Sequence, residues 1–149
     1  EMQRSLVGSE MCIRDSHQAA GSKNVFELHG SVHRNYCQKC GKFFDVNYVV
    51  NAKGVPYCDE CGGIIKPDVV LYEEGLDSQT INGAVRAISK ADMLIIGGTS
   101  LVVYPAAGMI DYFKGKYLAV LNRDATSRDK QADLCITDPI GEVLGRIRV

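Results

Sequence analysis

Four cysteines constrain this chain more than any other feature. Cys37-Gln38-Lys39-Cys40 is followed, after 17 residues, by Cys58-Asp59-Glu60-Cys61. Two C-x-x-C pairs at that separation read as a four-thiolate zinc site. Each pair can hold one metal ion from a tight turn, and two such turns complete a tetrahedron. Gly41 follows the first pair and Gly62-Gly63 the second. Glycine lets the backbone turn so that N–H groups face the sulfurs. Two disulfides are the alternative, but the spacing suits metal better and nothing else in the chain has a secreted character. The segment around the pairs has few apolar residues, and four thiolates leave no open coordination position. The expected zinc, one per chain, is therefore structural.

Composition narrows the class. A length of 149 residues with a 46% hydrophobic share suits one globular domain or a large part of one. With 17 basic and 18 acidic residues the net charge is −1, which argues against a dedicated nucleic-acid or membrane-surface protein. No apolar run approaches the ~20 residues of a membrane span. No signal peptide is evident, so a cytoplasmic location is expected. Cys12 and Cys135 are single, and Cys135, within Leu134-Cys135-Ile136, is expected to be a buried, inert thiol.

Residues 1–16 show neither helical nor strand periodicity. The run from Ser5 to Ser16 resembles translated sequencing-adapter sequence and is set aside from the fold argument. The alternative is a genuine but irregular N-terminal arm. His17-Gln18-Ala19-Ala20-Gly21-Ser22 reads as a helix end with a glycine stop. Val25-Phe26-Glu27-Leu28 reads as a short buried strand that delivers His29 at its carboxyl end, with Gly30 as a breaker. Ligands of parallel α/β sheets lie outside the carboxyl ends of strands. His29 is placed for chemistry on that rule, and a purely structural histidine is the equal alternative. Residues 32–66 form the zinc module. Phe43-Phe44-Asp45-Val46-Asn47-Tyr48-Val49-Val50 bridges its halves as a strand or short helix, and Asn51-Ala52-Lys53-Gly54 is a turn.

Residues 67–149 alternate strands with helices. Asp68-Val69-Val70-Leu71-Tyr72 reads as a strand, and Asp77 as the cap of a helix running to about Lys90. Met93-Leu94-Ile95-Ile96 and Tyr117-Leu118-Ala119-Val120-Leu121 read as strands of a buried parallel sheet. A helix with Pro105 in its first turn separates them. Ala132-Asp133-Leu134-Cys135-Ile136 is a further strand, and residues 140–147 a closing amphipathic helix. The fold class is α/β, a mostly parallel sheet carrying the zinc module.

Gly97-Gly98-Thr99-Ser100 lies where a buried strand turns toward a helix. Glycines there admit a ligand close to the backbone, and the hydroxyls of Thr99 and Ser100 suit phosphate or ribose oxygens. Asn122, one strand later on the same edge, can donate and accept toward a ribose diol. Helix capping is the alternative for all of them.

Taken together, Glu27-Leu28-His29-Gly30-Ser31, the two cysteine pairs, Lys66-Pro67-Asp68-Val69-Val70, Gly98-Thr99-Ser100-Leu101 with Pro105-Ala106-Ala107, and Asn122 resemble the sirtuins, in sirtuin order. The chain looks like a bacterial NAD-dependent protein deacylase over residues 17–149. The resemblance implies a partial Rossmann-like parallel sheet, residues 17–31 and 67–149, with a zinc-ribbon insertion at residues 32–66. It implies His29 as general base and Gly98, Thr99, Ser100 and Asn122 as NAD contacts. Ile140 falls near where the family's C-terminal segment meets adenine. Val69, Val70 and Leu71 match the strand that pairs with an acyl-lysine peptide, and Tyr72 stands where many members have phenylalanine.

In that family the acyl-lysine carbonyl oxygen attacks C1′ of the nicotinamide ribose, and a histidine then deprotonates a ribose hydroxyl. The family's glycine-rich phosphate loop and its Gln-Asn-Ile-Asp segment have no match among residues 1–149. These residues alone are therefore expected to bind NAD weakly and to be inactive, with an apolar edge or face exposed on the Met93–Ile96 and Val25–Leu28 strands. Two other functions are compatible with the residues. One is a non-catalytic zinc-ribbon binding module, against which stand the long α/β segment and the near-zero charge. The other is a mono-ADP-ribosyltransferase using the same NAD site.

Overall fold

The computed structural model describes residues 5–8, 17, 20–71 and 73–147. The chain divides into two units, Glu1–Ile81 and Asn82–Val149.

The first unit holds two sheets. Strands β1 (Ser5–Gly8) and β2 (Asn24–Glu27) pair in parallel, Leu6 opposite Val25 and Val7 opposite Phe26. This corrects the expectation that residues 1–16 carry no regular element. Leu6 and Val7 are good strand formers, and the edge of β2 is a template that no periodicity within residues 1–16 records. Gly21, past the helical His17, is left-handed at φ 86°, as a glycine stop requires.

The second sheet is antiparallel, in the order β4-β3-β5, with β3 at Gly30–Cys37, β4 at Phe43–Asp45 and β5 at Ile65–Val69. Helix α1 (Val46–Val50) follows β4 directly, so the bridging segment is strand and helix in succession. Asp45 caps it, accepting from the Tyr48 N–H at 2.8 Å. The core here is small. Cys37, Phe44, Cys58 and Ile65 are buried together, with Val49 and Cys61 packed against them. Asn35, 1% exposed, threads a polar link through it by donating to the carbonyls of Val32 and Phe44.

β5 starts and ends three residues earlier than the expected strand at residues 68–72. Antiparallel pairing with β3 sets its limits, from Ile65 opposite Cys37 to Val69 opposite Gly30. Tyr72 lies outside the described residues.

Helix α2 (Ser78–Lys90) crosses from one unit to the next, and the Asp77 carboxylate accepts from the Thr80 N–H at 2.7 Å. The second unit then has the parallel sheet, order β6-β7-β8, with β6 at Met93–Gly97, β7 at Tyr117–Leu121 and β8 at Leu134–Ile136. Four successive residues of β7, Leu118 to Leu121, are buried, as suits a central strand. Ile96, Leu118 and Val120 form the core, covered by Leu94, Leu101, Ile110 and Phe113.

The edge strands agree with the sequence expectation of an exposed apolar edge or face on Met93–Ile96 and depart from it at Cys135. Met93 and Ile95 of β6 are about half exposed, at 52% and 48%, so β6 buries one face only. Cys135 on β8 is exposed rather than buried. Among the described residues β6 and β8 are the edges of this sheet, a position set by strand order and not by local hydrophobicity. The helix after Pro105 is a 3-10 helix, Ala106–Tyr112, and the closing helix α3 is short, Ile140–Gly145. Among the described residues no helix is long and apolar enough to cross a membrane.

Candidate functional site

The two cysteine turns are near copies. In the first, Cys37 donates to the Lys42 carbonyl at 2.9 Å and its own carbonyl accepts from Gly41 at 2.9 Å. In the second, Cys58 donates to the Gly63 carbonyl at 2.7 Å and accepts from Gly62 at 3.0 Å. Gly41 and Gly62, at φ 74° and 67°, occupy the same left-handed position in each turn. Gly63 closes the cage, because a Cβ there would stand 2.7 Å from the Cys37 sulfur.

The four sulfurs lie within 4.8 Å of one another. Cys37 and Cys61 are 3.4 Å apart, and Cys40 and Cys58 3.7 Å. Sulfurs about 2.3 Å from a central zinc form a tetrahedron with edges of about 3.8 Å, whereas a disulfide needs about 2.0 Å. The cluster fits one zinc ion and not two disulfides.

The electrostatics point the same way. The Cys40 N–H draws the Cys37 thiol down to about 6, against the opposing effect of burial, with the Lys39 N–H adding to the pull. The Lys42 N–H would lower Cys40 as well, but Cys61, burial, Cys37 and Cys58 outweigh it and push that thiol up to about 12. Four crowded thiols accept one negative charge and resist the next, and a divalent cation at their centre removes the resistance.

His29 sits in the tight turn between β2 and β3, half-buried. Gly30, at φ 78°, lets the chain reverse there. A Cβ on it would collide with the Asp68 carbonyl, so β5 passes directly against this turn. The Val70 N–H donates to the His29 carbonyl at 3.1 Å. His29, Val69 and Val70 are thus one hydrogen-bonded piece. β5 is an edge strand among the described residues, paired with β3 on one side. Leu71 lies beyond its end, and the Leu71 N–H is held by the Glu74 carboxylate at 2.9 Å.

In the second unit, Gly98, Thr99 and Ser100 follow the carboxyl end of β6, and Asn122 follows the carboxyl end of β7. The Gly98 N–H donates to the Leu121 carbonyl at 3.0 Å, joining the two ends. Ile140 packs on Gly97 so closely that a Cβ there would meet its Cδ1. These five residues therefore converge on one edge of the parallel sheet. Asn122 donates through Nδ2 to the Asp124 carbonyl at 2.9 Å, and Thr99 accepts from the Leu101 N–H at 3.3 Å. No helix begins at Ser100, since the 3-10 helix starts at Ala106, so the turn offers hydroxyls and backbone rather than a helix terminus.

Sequence reasoning missed Arg34. It bonds Glu27 and Asp68 at 2.7 and 2.8 Å. The available signal was three charged residues inside segments that otherwise alternate as strands.

The comparisons with known proteins agree with this geometry. A model of the Sir2 family matches residues 10–105. An NAD-dependent protein deacetylase of Clostridium acetobutylicum is 65% identical over 129 residues, covering 86% of this chain and 53% of that protein. One from Clostridium perfringens is 64% identical over 132 residues, 88% of this chain and 54% of the relative. The chain spans about half the length of the curated relatives it matches. Among solved structures, Sir2 with a p53 peptide and NAD+ superposes with a TM-score of 0.85 at 34% identity, over 96% of this chain and 61% of the other. Sir2 bound to acetylated peptide gives 0.84 at 33% identity, over 96% and 61%. The paired cysteine turns, the His29 turn against β5 and the parallel sheet thus belong to a known kind of protein, and the chain is a member of the Sir2 family.

Proposed function

We propose that this protein is an NAD-dependent protein lysine deacylase, which moves an acyl group from lysine to ADP-ribose with release of nicotinamide. The observation that carries the reading is the bond from the Val70 N–H to the His29 carbonyl. It ties a proton-accepting side chain to the edge strand on which an extended peptide can add. His29 is the general base and takes the proton from a ribose hydroxyl. A histidine suits that role because it accepts a proton near neutral pH. Val69, Val70 and Leu71 form the edge on which the acyl-lysine peptide adds through main-chain hydrogen bonds other than the Val70 N–H, which is donated to the His29 carbonyl, and such bonds give affinity with little sequence demand. Binding at Leu71 requires the Glu74 carboxylate to release its N–H.

Bound NAD would supply the ribose that receives the acyl group and the nicotinamide that leaves. Thr99, Ser100 and Asn122 contact its ribose and phosphate oxygens, with Gly98 allowing close approach and Ile140 offering an apolar contact to adenine. Cys37, Cys40, Cys58 and Cys61 hold zinc, which has no open position for substrate and serves the fold. Residues 32–66 are read as a module inserted between two Rossmann-like parts, residues 17–31 and 67–149. The partners are acyl-lysine proteins or peptides. Four thiols kept for metal suit the reducing cytoplasm.

The test uses the full-length gene product with an acetyl-lysine peptide and NAD, following nicotinamide release. His29→Ala should lower turnover at least ~10²-fold, the usual scale for loss of a general base, with zinc content and melting temperature retained. Turnover close to wild type in that variant would remove His29 from the chemistry.

A further inference from the structure

We propose that Arg34 is a positioning residue that sets the His29 turn and the peptide-binding strand in one fixed geometry. The proposal rests on the reading of His29 and Val69–Leu71 given above. Glu27 ends β2, two residues before His29, and its carboxylate is only 7% exposed. Asp68 lies on β5, immediately before Val69. Arg34 donates from Nη1 to Glu27 at 2.7 Å and from Nε to Asp68 at 2.8 Å. One guanidinium thus joins the last residue before the turn to the strand on which the peptide is to add.

The backbone is shaped for this contact. β3 pairs with β5 through Gly30 and Ser31, then again from Asn35 onward. Ser31 faces Asp68 and Asn35 faces Pro67, so Val32, His33 and Arg34 are extra residues between the two stretches of that ladder. Such an interruption bends a strand and re-aims a side chain. Here it lets Arg34 reach back along the sheet to both carboxylates, while its backbone pairs with Asp45 on β4. A planar fork with donors on two edges fixes the directions of two separate carboxylates, whereas an ammonium is a compact point charge on a flexible stem that imposes no such geometry. Deletion of Arg34 would also take one cation away from the buried Glu27 carboxylate, which burial makes costly.

The two arms make different predictions. Asp68→Asn weakens only the link to β5, so the KM for acyl-peptide should rise about tenfold, the scale of one charge-assisted hydrogen bond, while kcat and the KM for NAD stay within about twofold. Glu27→Gln loosens the turn, so kcat should fall, by up to about 10²-fold as for a small misplacement of a catalytic group, while the peptide KM changes little. Arg34→Lys keeps the charge and should show both effects.

The assay uses the full-length protein, with zinc content and melting temperature recorded for each variant. Equal changes in both parameters that follow the loss of melting temperature, or no change in any variant, would overturn the proposal and leave a scaffold ion pair. Should Glu27→Gln fail to fold, Asp68→Asn and Arg34→Lys decide the matter. Absence of NAD-dependent deacylation in the wild type would overturn the reading of the site instead. The clamp is then judged by amide exchange at Val70, whose N–H bonds the His29 carbonyl. Exchange about tenfold faster in Arg34→Lys supports the clamp, and unchanged exchange refutes it.

Discussion

The antiparallel β4-β3-β5 sheet and the parallel β6-β7-β8 sheet have the same number of strands but are held together differently. In the first, two of the four core residues, Cys37 and Cys58, are metal-ligand candidates, and only Phe44 and Ile65 are large hydrophobes. In the second, the core is aliphatic, Ile96, Leu118 and Val120, with no ligand among its buried members. Too small a buried apolar surface cannot offset chain entropy, so the first sheet depends on its metal. The second has an aliphatic core that includes no metal-ligand candidate, and a half-exposed apolar face on β6. Their vulnerabilities should therefore separate.

The sharpest separation should come from zinc removal. Structural zinc contributes on the order of 10 kcal/mol of apparent binding free energy in small folds. A strong chelator, or Cys58→Ala, should abolish amide protection in β3, β4 and β5 while β7 keeps its protection. A metal-free first sheet that exchanges as slowly as the loaded one would break the comparison. Zinc analysis of the untreated protein should give about one ion per chain.

Leu118→Ala should do the reverse. Truncation of a buried leucine costs about 2–5 kcal/mol through lost burial and a cavity, and Leu118 lies on the central strand. Melting should fall for β6-β7-β8 with zinc binding untouched. Loss of zinc in that variant would show that the two units share one core.

Acid should distinguish the sheets less strongly. The Thr126 hydroxyl, with the Thr126 N–H, holds the Asp129 carboxyl below its ordinary value. Its contribution to the second unit is fully present above the unfolded value of about 3.9 and is lost as pH falls through the folded one. Protons compete with zinc for thiolates before that point, so the first sheet should be lost first as pH drops. Amide spectra recorded down a pH series check the order. Ile95→Thr, the mildest change, should alter stability by no more than about 0.5 kcal/mol and improve solubility, because Ile95 is half exposed. A loss several times larger would mean that this face is covered.

Short-range patterns were readable without coordinates. Each C-x-x-C turn, the Asp77 cap of α2, the apolar runs of β6 and β7 and the glycine turn after β6 depend on residues within a few positions of one another, and the two cysteine turns are linked by their separation of 17 residues. Side-chain period, capping and turn chemistry act at that range, so these elements appear in the fold where the sequence places them. The family motifs were readable for the same reason, as short strings in a fixed order.

Tertiary structure alone decided which strands meet and in what register. Ser5–Gly8 becomes a strand by pairing with β2, β5 is bounded by β3, and Cys135 is exposed on β8, an edge strand among the described residues. The convergence of Gly98 and Asn122 on one sheet edge follows from the parallel alignment of β6 and β7, and Ile140 joins them by packing on Gly97. The reach of Arg34 to Glu27 and Asp68 depends on three extra residues in β3. A charge in a strand records that it needs a partner, but the partner's identity depends on a pairing 34 positions away, from Arg34 to Asp68. Long-range pairing is settled by the sum of burial and ladder hydrogen bonds across whole strands, and no local string of residues carries that sum.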